Sequence, residues 1–93
     1  MKTAMEIAQI AKTANKNLVA ERHDRTMRYI NETMVREVEK RANVGELSIK
    51  FRVSPEVDRK TIERVFVEKG FEVTVKGYEI KISWMHQYFK IEG

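Results

Sequence analysis

The sequence predicts an α+β protein, a long N-terminal α-helix followed by a compact β-α-β-β unit with a three-stranded sheet. Three observations predict it. Residues 3–42 contain neither Pro nor Gly and are rich in Ala, Glu, Lys, Arg and Met, which are good helix formers. Three later segments alternate apolar and polar residues, the period of a half-buried strand. Between the first two of them, apolar residues return at helical spacing behind a Ser-Pro start.

In the N-terminal segment apolar residues recur at three- and four-residue steps, at Ala4, Ile7, Ala11, Ala14 and Leu18, then at Met27, Ile30, Met34 and Val38. Between the two sets lies Glu21-Arg22-His23-Asp24-Arg25, without an apolar residue, and the sets do not share one strict heptad phase. Either the helix breaks near His23 or it runs through with an exposed middle. No residue there breaks a helix, and Glu21–Arg25 and Glu32–Arg36 are spaced and ordered to support one, which favours continuity. A helix of about 40 residues is roughly 60 Å long, more than the rest of the chain can cover. The stripe from Ala4 to Leu18 is therefore expected to pack on another copy of the chain, its Ala residues permitting close approach. A frayed, unanchored N-terminus is the alternative.

Asn43-Val44-Gly45 is expected to end this helix. Leu47, Ile49, Phe51 and Val53 then alternate with Ser48, Lys50 and Arg52 as a strand. Ser54-Pro55-Glu56 reads as a helix start, with Ser54 as cap and Pro55 in the first turn, and the helix is expected to reach Lys69. Its inner face is Val57, Ile62, Val65 and Phe66; Gly70 closes it and Phe71 folds back on its last turn. Two further strands follow, joined by a Lys76-Gly77 turn, with Phe71, Val73 and Val75 sharing an inner face with Tyr78, Ile80, Ile82 and Trp84. The first strand is expected beside the last. The organisation is thus a charged helix over 1–43, read as an oligomerisation element, and a β-α-β-β domain over 44–93 with an aromatic C-terminal tail.

The chain has 93 residues, with 18 Lys and Arg against 14 Asp and Glu. The two signs are interleaved in both halves, the pattern of a solvated, salt-bridged surface rather than a basic nucleic-acid stripe. With no Cys there is no disulfide scaffold, thiol nucleophile or thiolate metal site. No apolar run approaches the roughly 20 residues of a membrane helix, and Glu6, Gln9 and Lys12 interrupt any signal-peptide core. A cytoplasmic location without membrane contact is expected. His23 and His86 have no second ligand at metal-binding spacing, and no nucleophile elbow, P-loop or dinucleotide fingerprint occurs. No enzymatic activity, metal or cofactor is expected.

Two surfaces remain for binding. The C-terminal stretch Trp84-Met85-His86-Gln87-Tyr88-Phe89-Lys90-Ile91 is dense in large apolar residues, and Tyr88 and Phe89 fall beyond the last strand. Aromatic side chains of this kind anchor partners; a tail folded back over the helix–sheet seam would bury them instead. The polar sheet face carries Lys50, Arg52, Thr74, Lys76, Lys81 and Ser83, interrupted by Glu72 and Glu79. The candidate ligand- or partner-binding residues are Lys50, Arg52, Lys81, Tyr88 and Phe89.

The run Val44-Gly45-Glu46, an alternating strand, an amphipathic helix, Lys69-Gly70-Phe71-Glu-Val73 and the closing Ile80-Lys-Ile82-Ser-Trp84 resembles small accessory proteins of bacteriophages of Gram-positive bacteria. In those, a long charged helix precedes a Gly-aromatic-x-Val strand and an Ile-x-Ile-Ser-Trp strand. The resemblance covers about Arg28 to Trp84. Its motifs are structural and transfer no catalytic residue. It implies an accessory protein acting in the host cytoplasm by binding a host protein or a signalling nucleotide.

The expected function is therefore that of a self-associating, non-enzymatic binding protein. Nucleic-acid binding by the basic helix through Arg22, Arg25, Arg28 and Arg36 is the second reading. A small nucleotide hydrolase or transferase is the third.

Overall fold

A computed structural model describes residues 1–92. Residues 4–43 form one rod. An α-helix, α1 (Ala4–Tyr29), passes without a break into a π-helical turn (Ile30–Met34) and then into α2 (Val35–Asn43). The helix is therefore continuous through His23. Thr3 caps it, its hydroxyl accepting the Glu6 N–H at 3.3 Å. The molecule measures 69 × 20 × 20 Å, because most of α1 projects beyond the rest of the chain.

The π-turn has a cause in the packing. The helix residues sunk into the core are Thr26, Ile30, Met34 and Val38, four residues apart at every step. On an α-helix of 3.6 residues per turn such a series winds steadily off the contact face. At the π-turn the Val35 N–H donates to the Ile30 carbonyl five residues back. That turn takes up about one extra residue and returns Met34 and Val38 to the side that Thr26 and Ile30 occupy. Met27, expected in the stripe, is only half-buried, and Thr26 takes the inner position.

At the other end Gly45 (φ 84°) follows the cap residue Val44, with Gly45 N–H on the Ala42 carbonyl and Glu46 N–H on the Arg41 carbonyl, both at 3.0 Å. This double bond is the Schellman closure. Arg41 and Glu46 add an ion pair at 2.9 Å across it.

The remainder is a three-stranded sheet with β1 (Ser48–Arg52), β2 (Glu72–Lys76) and β3 (Glu79–Ser83) in the order β1-β3-β2. Both neighbouring pairs are antiparallel, so β1 and β2 run parallel on either side of β3, and the first strand lies beside the last as expected. The helix α3 (Arg59–Glu68) makes the crossover between β1 and β2. Ile49, Phe51, Ile80 and Ile82 point inward onto Ile30, Met34, Val38, Ile62 and Phe66 in one core. At the end of α3, Gly70 (φ 92°) adopts a backbone conformation that side chains with a Cβ disfavour. It lets the Phe71 N–H return to the Phe66 carbonyl at 3.0 Å, while the two rings meet edge to face at 5.4 Å.

Three local expectations are corrected. The crossover helix does not start at Ser54-Pro55 but at Arg59, with Asp58 as its cap accepting the Lys60 N–H at 3.1 Å. The long helix claims the intervening backbone: Arg22 donates to the carbonyls of Pro55 and Val57 at 3.4 and 3.3 Å, and Asp58 N–H donates to the Thr26 hydroxyl at 2.8 Å. Ser54 instead closes a turn, accepting the Glu56 N–H. The hairpin turn is Gly77-Tyr78, since Lys76 pairs with Glu79 in the ladder. Gly77 has φ 58° at the first central position and Tyr78 has no positive φ, the pattern of a type II′ turn. Tyr78 therefore leaves the inner face and lies under the Arg59 guanidinium, 4.5 Å from the ring centre. Finally, the helical pairs do not form as expected: Arg25 reaches Glu56 at 3.7 Å, and among the described residues no Glu32–Arg36 ion pair occurs.

The C-terminal stretch folds as a helix, α4 (Met85–Glu92). The Ser83 hydroxyl accepts the Met85 N–H at its start and donates to the Leu47 carbonyl. Trp84 is half-buried against Phe71, the two rings 6.3 Å apart and edge to face.

Candidate binding surfaces

The first surface is the projecting part of α1. Every residue from Met1 to Arg25 is exposed, including Ala4, Ala11 and Ala14, and Ile7 and Leu18 keep 53% and 61% of their surface in solvent. The apolar side chains of this segment thus have no cover within the chain. The charged stretch after Leu18 is where the helix meets the domain. Arg22 and Arg25 turn toward Pro55, Glu56 and Val57, so two of the four arginines assigned to nucleic-acid binding hold the chain's own fold; Arg28 and Arg36 face solvent.

The second surface is the open face of the sheet. The register sets its side chains in a grid: Lys50, Lys81 and Thr74 share one row, and Arg52, Glu79 and Lys76 the next. Lys50, Thr74, Lys76, Glu79 and Lys81 line a hollow of about 260 Å³. A second hollow of about 420 Å³ runs from Lys50 and Arg52 to Tyr78. Glu79 is the sole acid in either, and it is shared, lying between Arg52 and Lys76 in the ladder and 3.9 Å from the Lys50 ammonium. Lys50 and Lys81 face each other directly, and like charges in that relation destabilise a sheet. Lys50, Arg52, Lys76 and Lys81 against the shared Glu79 leave these two hollows with an excess of positive charge.

Tyr88 and Phe89 stand apart from this face. Their rings contact edge to face at 5.5 Å on α4, with Phe89 56% exposed. Tyr88 borders a groove of about 280 Å³ with Ala42, Leu47, Trp84 and Ile91, and neither aromatic lines the basic hollows. The structure thus brings Lys50, Arg52 and Lys81 together but divides the expected site in two.

A third feature escaped the sequence. Beside the π-turn, Val35, Val38, Val65, Phe66 and Phe71 line an apolar groove of about 400 Å³, with Glu39 and Lys69 also at its wall. Its sequence signal is Val35, adjacent to Met34 and out of phase with the stripe.

Among the described residues no group of three or more His, Asp or Glu could hold a metal ion, and no helix is long and apolar enough to cross a membrane. The groups with displaced titration are structural. Burial pushes the Tyr29 hydroxyl up. Burial also works to raise the Asp58 carboxyl, but the Thr61 hydroxyl, the N–H groups of Lys60 and Thr61 and the Arg22 charge outweigh it and hold Asp58 below the ordinary carboxylate range.

No protein-family model matches the chain, and neither a curated protein nor a solved structure is found to be similar to it.

Proposed function

We propose that the chain is a non-enzymatic, self-associating binding protein. The observation that carries this reading is the bare stripe Ala4, Ile7, Ala11, Ala14 and Leu18 on a helix that projects from a domain with its own complete core. A helix with no tertiary cover gains little from propensity alone and is stabilised by packing its apolar side on a partner. In this reading the projecting helix assembles the protein, and the open sheet face with Lys50, Arg52 and Lys81 receives an anionic ligand, such as a signalling nucleotide or an acidic host protein. The exposed Tyr88–Phe89 pair is a separate contact point for a protein. The resemblance to phage accessory proteins favours action on a host factor in the host cytoplasm.

Light scattering after size exclusion tests the assembly. The native chain is expected to have an oligomeric mass, and the variant Ile7→Asp/Leu18→Asp a monomeric one with the same thermal transition of the domain. A monomeric native chain, or a variant of unchanged mass, overturns the reading. Recording absorbance at nucleic-acid wavelengths in the same run tests for a carried nucleotide.

A further inference from the structure

We propose that the projecting helix pairs with a second copy of itself, antiparallel, about a two-fold axis passing between Lys12 and Thr13. This rests on the self-association proposed above and gives it a geometry. Along the stripe, Ala4, Ile7, Ala11, Ala14, Leu18 and Glu21 follow at steps of three, four, three, four and three. The order is the same from either end, so an antiparallel pair about a two-fold axis perpendicular to the helices sets every stripe residue opposite another. Antiparallel pairing sets Ile7 against Leu18 of the partner subunit and Ala11 against Ala14 of the partner subunit. The large residues meet at the ends and the small ones near the axis, where the backbones approach most closely.

Charge chooses between the two directions. The seam's immediate flanks are Ala8, Ile10, Asn15 and Asn17, all uncharged, while Glu6, Lys12 and Lys16 lie on the outer side of the helix. Glu21 breaks the apolar pattern. In a parallel pair it would face Glu21 of the partner subunit, a like-charge contact. In the antiparallel pair it lies beside Ala4 of the partner subunit, at the helix N-terminus, where the unpaired N–H groups and Lys2 favour an anion.

Length agrees with the antiparallel direction. About this axis the helix start at Thr3 is level with Arg22 of the partner subunit, and Arg22 is where the domain begins through its bonds to Pro55 and Val57. Each projecting segment, about 27 Å from Ala4 to Glu21, is covered over its whole length and stops where the partner's domain begins. The two domains then stand at opposite ends of the dimer.

The chain has no Cys, so introduced thiols report cleanly. Ile7→Cys and Leu18→Cys are made separately, each confirmed as helical, then oxidised alone and after mixing with subunit exchange. In the antiparallel pair two copies of either position are about 16 Å apart along the axis, beyond disulfide reach, whereas position 7 meets position 18. A covalent dimer in the mixture only, containing one chain of each kind, is the expected result. Covalent dimers from each variant alone overturn the antiparallel geometry and leave self-association standing. A dimeric mass without any cross-link overturns the pairing at these positions. A monomeric mass for the unsubstituted chain overturns both this geometry and the reading beneath it.

Discussion

The hydroxyl of Thr26 accepts the backbone N–H of Asp58 at 2.8 Å while donating to the Arg22 carbonyl at 2.7 Å. Thr26 is fully buried, so one side chain ties the long helix to the start of α3 and satisfies an N–H with no helical partner. Thr26→Val keeps the shape and removes the acceptor. It is expected to cost about 1–3 kcal/mol, because Asp58 N–H is left unpaired against the helix. Thr26→Ser keeps the hydroxyl and loses about one methyl of burial, near 0.8 kcal/mol. Urea titrations of the two variants and the native chain decide it: a Val variant as stable as the native chain would mean that the bond contributes nothing.

Asp58 itself makes stability depend on pH. Its carboxyl is held below the ordinary range in the folded chain, so its contribution is present above the unfolded value of about 3.9 and is lost as pH falls through the lower folded value. Asp58→Ala removes the cap and is expected to cost about 0.5–2 kcal/mol at neutral pH. Asp58→Asn retains a capping oxygen, costs less, and shows a flatter decline on the acid side. Stability measured from neutral pH into the acid range gives the slopes. An unaltered acid limb in the Asn variant would remove Asp58 from the account of acid unfolding.

The fold class, the three strands and the Gly70–Phe71 closure were legible because each rests on local periodicity or on a backbone conformation that few residues adopt, and the strand order followed from the handedness of the strand–helix–strand crossover. The start of α3 was not. Ser54-Pro55 is a sound local cap, and it lost to Arg22 and Thr26, which take the backbone groups of residues 55–58 from more than thirty positions away. Tyr78 was misplaced for a similar reason: alternation assigns it inward, but the turn and Arg59 hold it outside. Of the candidate binding residues, Lys50, Arg52 and Lys81 could be placed on one face by parity alone. Their separation from Tyr88 and Phe89 depends on where α4 leaves the sheet, which alternation does not encode. The groove at Val35 depends on the π-turn, whose trace is a four-residue step repeated from Thr26 to Val38.

That step has a direct test. Deleting the exposed Asn31 leaves Thr26, Ile30, Met34 and Val38 at steps of four, three and four, the spacing of one face of a regular α-helix, so the rod can become α-helical throughout with all four still inward. The deletion is therefore expected to keep stability within about 1 kcal/mol of the native chain. Circular dichroism with chemical denaturation reads helix content and stability together. A loss on the order of 3 kcal/mol or more, the cost of withdrawing core side chains, would show that the π-turn does more than take up one extra residue.

Lys50 and Lys81 are a like-charge pair in the ladder, and on the reading proposed above they also line the ligand surface. Replacing Lys81 by Thr removes the repulsion, keeps a residue suited to a strand, and leaves the Lys50–Glu79 ion pair in place. Lys81→Thr is expected to raise stability by about 0.2–1 kcal/mol at low salt, with a smaller gain at high salt as screening weakens the repulsion in the native chain. The same change is expected to weaken the retention of anionic nucleotides by the sheet face, since Lys81 lines the hollow with Lys50 and Lys76. Thermal melts at two salt concentrations, paired with nucleotide titrations of both proteins, separate the effects. A more stable variant with weaker binding marks the facing lysines as a ligand surface maintained at the expense of the fold. A less stable variant would mean that the pair is not repulsive in the folded chain, and the case for an anion at this face would lose its physical basis.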